Sequence, residues 1–125
     1  SAQNNGLVIP AYYATEALLS QCDKLGILVV VCSAIDTMSL GDHIRVGGNP
    51  SNNPLYLTTY LSFNRAAYYS TRHHPSVVGY AVAKGKTTGI NIYESYLMLK
   101  NIEPRLPIVY EGNLGEWCSD KIVLR

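Results

Sequence analysis

Short apolar runs and one helical pattern alternate over the first quarter of the chain. The run at residues 7–9 stops at Pro10 and predicts a buried strand. Thr15 is a good helix N-cap and Gly26 a typical helix stop, so a helix is predicted between them. Residues 27–32 are apolar, rich in β-branching and without alternation, which is typical of a parallel strand covered on both faces. The expected apolar positions of the helix are Leu18, Leu19, Cys22 and Leu25.

A polar stretch and a long apolar segment follow. Residues 39–53 are dense in Gly, Asn, Asp and Pro and predict a long exposed loop. Pro54 suits the first turn of a helix that runs to about His73. The apolar face of this helix is wide, which predicts that most of it is buried. That face contains Leu57, Leu61 and Tyr68 and, beside them, Tyr56, Tyr60, Phe63 and Ala67.

The alternation of strand and helix continues to the end of the chain. Pro75 breaks the second helix, and residues 77–83 predict a strand. The Asn-Ile-Tyr-Glu sequence at residues 91–94 has a capping-box pattern and predicts the start of a third helix. Residues 107–110 and 121–124 predict two closing strands. The order β-α-β-loop-α-β-α-β-β predicts an α/β fold of about five mostly parallel strands and three helices.

Length and composition limit the classes of protein that fit this pattern. The 125 residues suffice for one domain, assigned to residues 7–125 after a polar arm at residues 1–6. A closed (β/α)₈ barrel needs about 250 residues, so the chain could supply about half of one. With 47% hydrophobic residues, 15% charged residues and a net charge of +1, it is neither a disordered tail nor a generic nucleic-acid binder. No apolar stretch is long enough to predict a membrane span.

Cysteines, histidines and one glycine-containing motif are the candidates for metal or cofactor chemistry. The three cysteines have no CxxC spacing and are not expected to form a disulfide framework or a zinc site. Residues 85–88, Gly-Lys-Thr-Thr, follow a strand, but the glycine spacing is wrong for a phosphate-binding loop and favours a solvated loop. His73 and His74 are adjacent, so their side chains are expected to point apart, and no third ligand is near in the sequence. We therefore expect no metal and no cofactor.

Five stretches in the same order and at nearly the same spacing resemble the catalytic (β/α)₈ domain of family 2 glycoside hydrolases, the β-galactosidase and β-glucuronidase group. The resemblance covers almost the whole chain except the loop at residues 39–53. It implies that the chain corresponds to the second through sixth strands of that barrel. The matching stretches are residues 16–29 (EALLSQCDKLGILV), 74–78 (HPSVV), 91–100 (NIYESYLMLK), 107–112 (PIVYEG) and 116–120 (EWCSD).

The chemistry of that family does not follow from the resemblance. The family's acid/base glutamate lies in a strand-end Gly-Asn-Glu, where this chain has Ala83, Lys84 and Gly85. Retaining glycosidases need two carboxyl groups about 5 Å apart, and the family's nucleophile lies on a later strand that this chain is expected not to reach. The family's Asp-Glu after its third strand matches Val31 and Cys32, and the Asn that follows matches Ala34. An earlier substrate-facing His of the family matches Ala11. Among these positions, only Asp36 keeps a carboxylate, where the family has Glu.

Two functions from different classes remain open. The first is a non-catalytic, pseudoenzyme-like structural or binding subunit that associates with a larger complex or with itself, because a partial barrel leaves strand edges that must be covered. The second is a fragment or domain of a family 2 glycosidase with residual carbohydrate binding or hydrolysis. A protein partner or homo-oligomer is therefore expected, with carbohydrate as the other ligand class. The resemblance and the non-Met start favour an extracytoplasmic or secreted location.

Candidate binding residues lie in loops and at one strand end. The loop at residues 39–53 is polar and is expected to contact a partner macromolecule. Glu111 and Glu116 are a close pair of carboxylates in a strand-end loop and are candidates for acid/base work. Structural hydrogen bonding by Glu111, and by Trp117 and Asp120 in the same loop, is favoured over catalysis. The candidates are Arg45, Asp36, Glu111, Glu116 and Trp117, beside the degenerate acid/base position at Lys84 and Gly85.

Overall fold

Four parallel strands form one sheet in the computed structural model, which describes residues 6–37, 49–85, 89–110 and Asp120. The strands are β1 (Gly6–Pro10), β2 (Leu28–Cys32), β3 (Val77–Ala81) and β4 (Ile108–Val109), and they lie side by side in chain order. The helices α1 (Glu16–Leu25), α2 (Leu57–Thr71) and α3 (Ile90–Ile102) make the three crossovers. The predicted α/β class, with parallel strands and three helices, is confirmed. The predicted strand at residues 121–124 lies outside the described residues.

The ends of the first β-α-β unit follow the predicted signals. The Thr15 hydroxyl accepts a hydrogen bond from the Leu18 N–H at 3.2 Å, and Gly26 ends α1 in the left-handed conformation with φ of 71°. Strand β1 begins at Gly6, one residue inside the predicted arm. The expected apolar face of α1 was partly wrong, because only Leu19 and Cys22 are buried. Leu18 and Leu25 lie on a neighbouring face that does not pack on the sheet, and both are exposed.

The core lies between the sheet and its helices. Strand β2 is buried on both faces as predicted, with Val29 and Val31 in the main core and Val30 and Cys32 in a smaller cluster with Ala81. Cys22 and Cys32 are buried free thiols. No helix of the described part is long and apolar enough to cross a membrane.

Helix α2 buries one narrow stripe and not the wide face that the sequence predicts. The stripe repeats at helical spacing and includes two polar side chains. Asn64 donates to the Tyr60 carbonyl at 2.9 Å and the Thr71 hydroxyl donates to the Ala67 carbonyl at 2.7 Å, so burial does not leave these donors unsatisfied. Tyr56 and Phe63 are both 44% exposed because they fall beside the stripe. The buried residues are Tyr60, Asn64, Ala67, Tyr68 and Thr71.

The start of α3 differs from the predicted capping box. The N-cap is Gly89, and Asn91 is already inside the helix, where it is buried. The Asn91 Nδ2 donates to the carbonyls of Pro50 and Asn53, each at 2.7 Å. A Cβ at Gly89 would lie 2.4 Å from the Ser51 carbonyl oxygen, so the turn and the helix meet too closely for a capping side chain. The last part of the predicted exposed loop is therefore a short 3₁₀ turn packed on α3.

Asp120 connects the last described strand to α3. One carboxylate oxygen accepts from the Ile108 N–H at 3.0 Å, and the other accepts from the Tyr96 hydroxyl at 2.7 Å. Lys100 Nζ lies 3.0 Å from the same carboxylate. The predicted structural role of Asp120 is confirmed.

Candidate functional site

The carboxyl ends of β2 and β3 continue as a backbone-paired segment. Lys84 N–H donates to the Ile35 carbonyl at 2.8 Å, and Thr37 N–H donates to the Lys84 carbonyl at 2.7 Å. Asp36 and Lys84 form an isolated parallel bridge, and both side chains are exposed. The Ser33 hydroxyl is turned inward and donates to the Val82 carbonyl at 2.6 Å. Backbone and hydroxyl groups here bond to each other, which fixes the position of Lys84 and Gly85.

Gly85 occupies a place in which no side chain fits. Its φ is +142°, and a Cβ built on it would lie 1.8 Å from the Thr37 Oγ1 and 2.9 Å from the Thr37 carbonyl carbon. Thr37 is 1% exposed, and its hydroxyl donates to the Lys84 carbonyl at 3.3 Å. Residue 85 therefore requires glycine for steric and conformational reasons.

The neighbouring strand ends present small or protonated groups. Ala11 and Ala34 line a cleft of about 270 Å³ together with Tyr12 and Phe63. Burial raises the pKa of the Cys32 thiol to about 11, which keeps it protonated and poorly nucleophilic at neutral pH. Among the described residues of these strand ends, Asp36 supplies the carboxylate and Lys84 the cation.

The other predicted site residues fall outside the described part of the chain. They are Arg45, Glu111, Glu116 and Trp117, together with the loop at residues 86–88. The candidate roles of these residues stay predictions. Of the predicted set, the structure brings together Asp36, Lys84 and Gly85.

A cluster that the sequence did not predict joins α1 to the turn before β3. His74 is 5% exposed, with its Nδ1 2.7 Å from the Asp23 Oδ2 and its Nε2 2.6 Å from the Glu16 Oε1. His73 Nε2 lies 3.2 Å from the same Glu16 oxygen. We call these four residues the histidine cluster.

The expectation that the two histidines point apart was wrong. Their rings are 4.4 Å apart between centroids and tilted by 37°, so both reach one carboxylate. Glu16 and Asp23 lie seven positions apart, two turns along the same face of α1. That spacing was the available signal, but which helix would meet the histidines depends on the tertiary fold.

The carboxylates of the cluster and His74 perturb each other. The Asp23 hydrogen bond raises the pKa of His74 against the opposing effect of burial, and Glu16 raises it further. Hydrogen bonds from His74 and Ser76 lower the pKa of Asp23 to about 2. The hydrogen bond from His74, then that from His73, lowers the pKa of Glu16. Three donor atoms, from Glu16, His73 and His74, lie within 4.8 Å of one another and could hold a metal ion.

Comparison with known proteins gives one family and a consistent set of relatives. A model of the TIM barrel domain of glycosyl hydrolases family 2 matches residues 5–124. A beta-galactosidase of Vibrio vulnificus (strain YJ016) is 24% identical over 102 residues, which cover 82% of this chain and 10% of that protein. A beta-galactosidase of Vibrio cholerae is 26% identical over 102 residues with the same coverage. The chain thus spans about a tenth of the length of these relatives.

Solved structures give the same fold at low identity. A beta-glucuronidase of an uncultured Clostridium superposes with a TM-score of 0.65 at 17% identity, over 85% of this chain and 19% of that one. Beta-glucuronidase 3 of Bacteroides uniformis superposes with a TM-score of 0.62 at 18% identity, over 85% of this chain and 14% of that one. A family 2 beta-galacturonidase of Eisenbergiella tayi, bound to galacturonate, superposes with a TM-score of 0.61 at 18% identity, over 82% of this chain and 18% of that one. These similarities establish the barrel fold of the segment.

Proposed function

The chain belongs to the TIM barrel domain family of glycosyl hydrolases family 2, and on that premise we propose that it is a non-catalytic structural or binding subunit made from part of that barrel. It acts by association with a protein partner or with a second copy of itself. The observation that carries the proposal is the glycine at residue 85, whose surroundings leave no room for a side chain.

The missing side chain bears directly on the reaction of the family. A retaining glycosidase protonates the leaving oxygen from one carboxylic acid and attacks the sugar with a second carboxylate about 5 Å away. Gly85 supplies no proton donor, and Lys84 beside it is a cation. Ala11 and Ala34, at the neighbouring strand ends, offer no hydrogen bonds from their side chains to a sugar.

The edge of β1 supports association. Among the described residues, β1 pairs with β2 on one side and with no strand on the other. Val8 in this strand is 69% exposed, and Tyr12 and Tyr13 just after it are 65% and 64% exposed. An edge with free backbone groups and apolar side chains is a template for pairing with another strand. The polar loop at residues 39–53, with Arg45 as anchor, is proposed as a second contact.

Hydrolysis assays test the catalytic part of the proposal. The purified 125-residue chain should not hydrolyse aryl β-galactosides or β-glucuronides above the level of a mock purification. A turnover that disappears when Glu111 or Glu116 is changed to Gln would refute the proposal and favour residual glycosidase activity instead. A turnover that neither substitution changes, and that the mock purification also shows, belongs to a contaminant.

Sedimentation velocity tests association. The chain is expected to self-associate at micromolar concentration or to sediment with a partner, and Val8→Lys should weaken that association because a charge blocks the edge. Leu55→Lys is the matched control, since Leu55 is 87% exposed and lies in the turn before α2, away from the edge. A single sharp monomer with cooperative unfolding would refute association through this edge.

A further inference from the structure

We propose that Glu16, His73 and His74 form a binding site for a divalent transition metal of the zinc type, with Asp23 fixing the orientation of His74. The three donor atoms lie within 4.8 Å of one another. Ligand atoms at about 2.0–2.2 Å from a tetrahedral zinc ion lie about 3–4 Å apart. Small side-chain rotations of two exposed residues, Glu16 and His73, are therefore enough to complete the geometry.

The donor set selects the type of metal. Two imidazole nitrogens and one carboxylate oxygen suit Zn²⁺ and its transition-metal neighbours. Mg²⁺ and Ca²⁺ prefer six or more oxygen ligands, which two histidines do not supply. Three protein ligands leave a fourth position for water. The described residues hold one such group, so one ion is expected to bind there.

Asp23 orients the buried ligand. Its Oδ2 lies 2.7 Å from the His74 Nδ1, and its Oδ1 accepts from the Ser76 N–H at 2.9 Å. Asp23 thereby keeps a proton on Nδ1. Without a metal ion Nε2 donates to Glu16, and on metal binding Nε2 would release that proton and offer its lone pair to the ion. A carboxylate behind a metal-binding histidine is the common way in which proteins fix the tautomer and raise ligand basicity.

The site is open to solution. His73 is 59% and Glu16 66% exposed, while His74 is covered, so an ion reaches the site without a change in the core. The histidines also line an open cleft of about 390 Å³ with Arg72 and Glu103. A bound ion would link the first turn of α1 to the turn between α2 and β3, and binding to the folded state alone would raise the melting temperature.

Titration of the 125-residue chain with Zn²⁺, followed by calorimetry, tests the site. We expect saturable binding of one ion per chain and a melting temperature that rises with Zn²⁺ concentration. Co²⁺ in place of Zn²⁺ should give the visible absorption of a tetrahedral nitrogen and oxygen site. Both signals are independent of any hydrolytic activity, so failure here leaves the proposed function untouched.

Variants separate a metal site from a hydrogen-bonded cluster. His73→Gln keeps a donor for Glu16 but removes a strong ligand, and it should weaken Zn²⁺ binding at least about tenfold. Glu94→Gln is the matched control, because it removes a possible ligand on α3, outside the histidine cluster, and should leave affinity unchanged. His73 is exposed, so its variant is expected to fold even if a change at His74 does not. Absence of saturable binding, or equal loss in the two variants, overturns the proposal.

Discussion

A side chain placed at residue 85 is expected to destabilise the fold strongly, even when that side chain is only a methyl group. Gly85→Ala is the smallest test of this expectation. The new Cβ would lie 1.8 Å from the Thr37 Oγ1, closer than any real contact. Thr37 cannot move freely, because its N–H bonds to the Lys84 carbonyl at 2.7 Å.

The size of the effect follows from two contributions. A non-glycine residue in a sparsely populated backbone region costs about 1–3 kcal/mol. Forcing extra volume into a packed site costs typically about 1–3 kcal/mol more. The free energy of unfolding of Gly85→Ala should therefore fall by about 2–6 kcal/mol, a large share of the roughly 5–15 kcal/mol of an ordinary domain.

Urea denaturation followed by far-UV circular dichroism measures this loss. Gly26→Ala is the matched control, because Gly26 also has positive φ but nothing lies within 4 Å of an added Cβ. Gly26→Ala should lower the free energy of unfolding by about 1–2 kcal/mol, through backbone strain alone. Equal losses in the two variants would refute the steric argument. Thr37→Ala combined with Gly85→Ala should recover part of the difference, since it removes the nearest atom.

Three further changes probe the core and the α3 contacts. Asn91→Ala should lower the free energy of unfolding by about 1–3 kcal/mol, because the Pro50 carbonyl loses its buried donor; an unchanged urea midpoint would contradict this. Leu99→Ala, at a fully buried position of α3, should lower the free energy of unfolding by about 2–5 kcal/mol in the same assay. Leu97, which is 40% exposed, is the control, and a smaller loss for Leu99→Ala than for Leu97→Ala would contradict the packing. Burial acts to raise the pKa of Asp120, but hydrogen bonds and Lys100 outweigh it and lower the pKa. The stabilisation of the fold by Asp120 is therefore fully present at pH values above 3.8, the ordinary pKa of this carboxyl group. It is lost as the pH falls through the lowered pKa of the folded state. Asp120→Asn should accordingly reduce stability at pH 6 more than at pH 3 in thermal melts.

Local chemistry made the fold largely predictable. Thr15 and Gly26 define the ends of α1 through a hydroxyl and a missing Cβ, which act within a few residues. The unbroken apolar run of β2 predicted burial on both faces, and the structure confirms it. The five stretches that resemble family 2 hydrolases placed these elements in one barrel, and the family match over residues 5–124 agrees.

The site features that the sequence did not predict all depend on contacts between distant segments. Asn91 is a good capping residue by type, but the turn at Ser51 lies against Gly89, which is the N-cap instead. Asn91 lies inside the helix, where its side chain donates to the Pro50 carbonyl. Glu16 meets His73 only because α1 and the end of α2 converge. The width of the apolar face of α2 was overestimated because helical periodicity gives no information on how much of a face its neighbours cover.

The agreement between strand order and chain order has a consequence for how this segment could form and vary. Strand β1 pairs Gly6 with Leu28, whereas β2 pairs Val29 with Val77, a separation about twice as long. Closing a chain loop costs only about 0.6 kcal/mol more for each doubling of its length. Residues could therefore be added between β2 and α2 at little thermodynamic cost. A shift of one residue in either strand register would instead turn every buried side chain to the opposite face of the sheet.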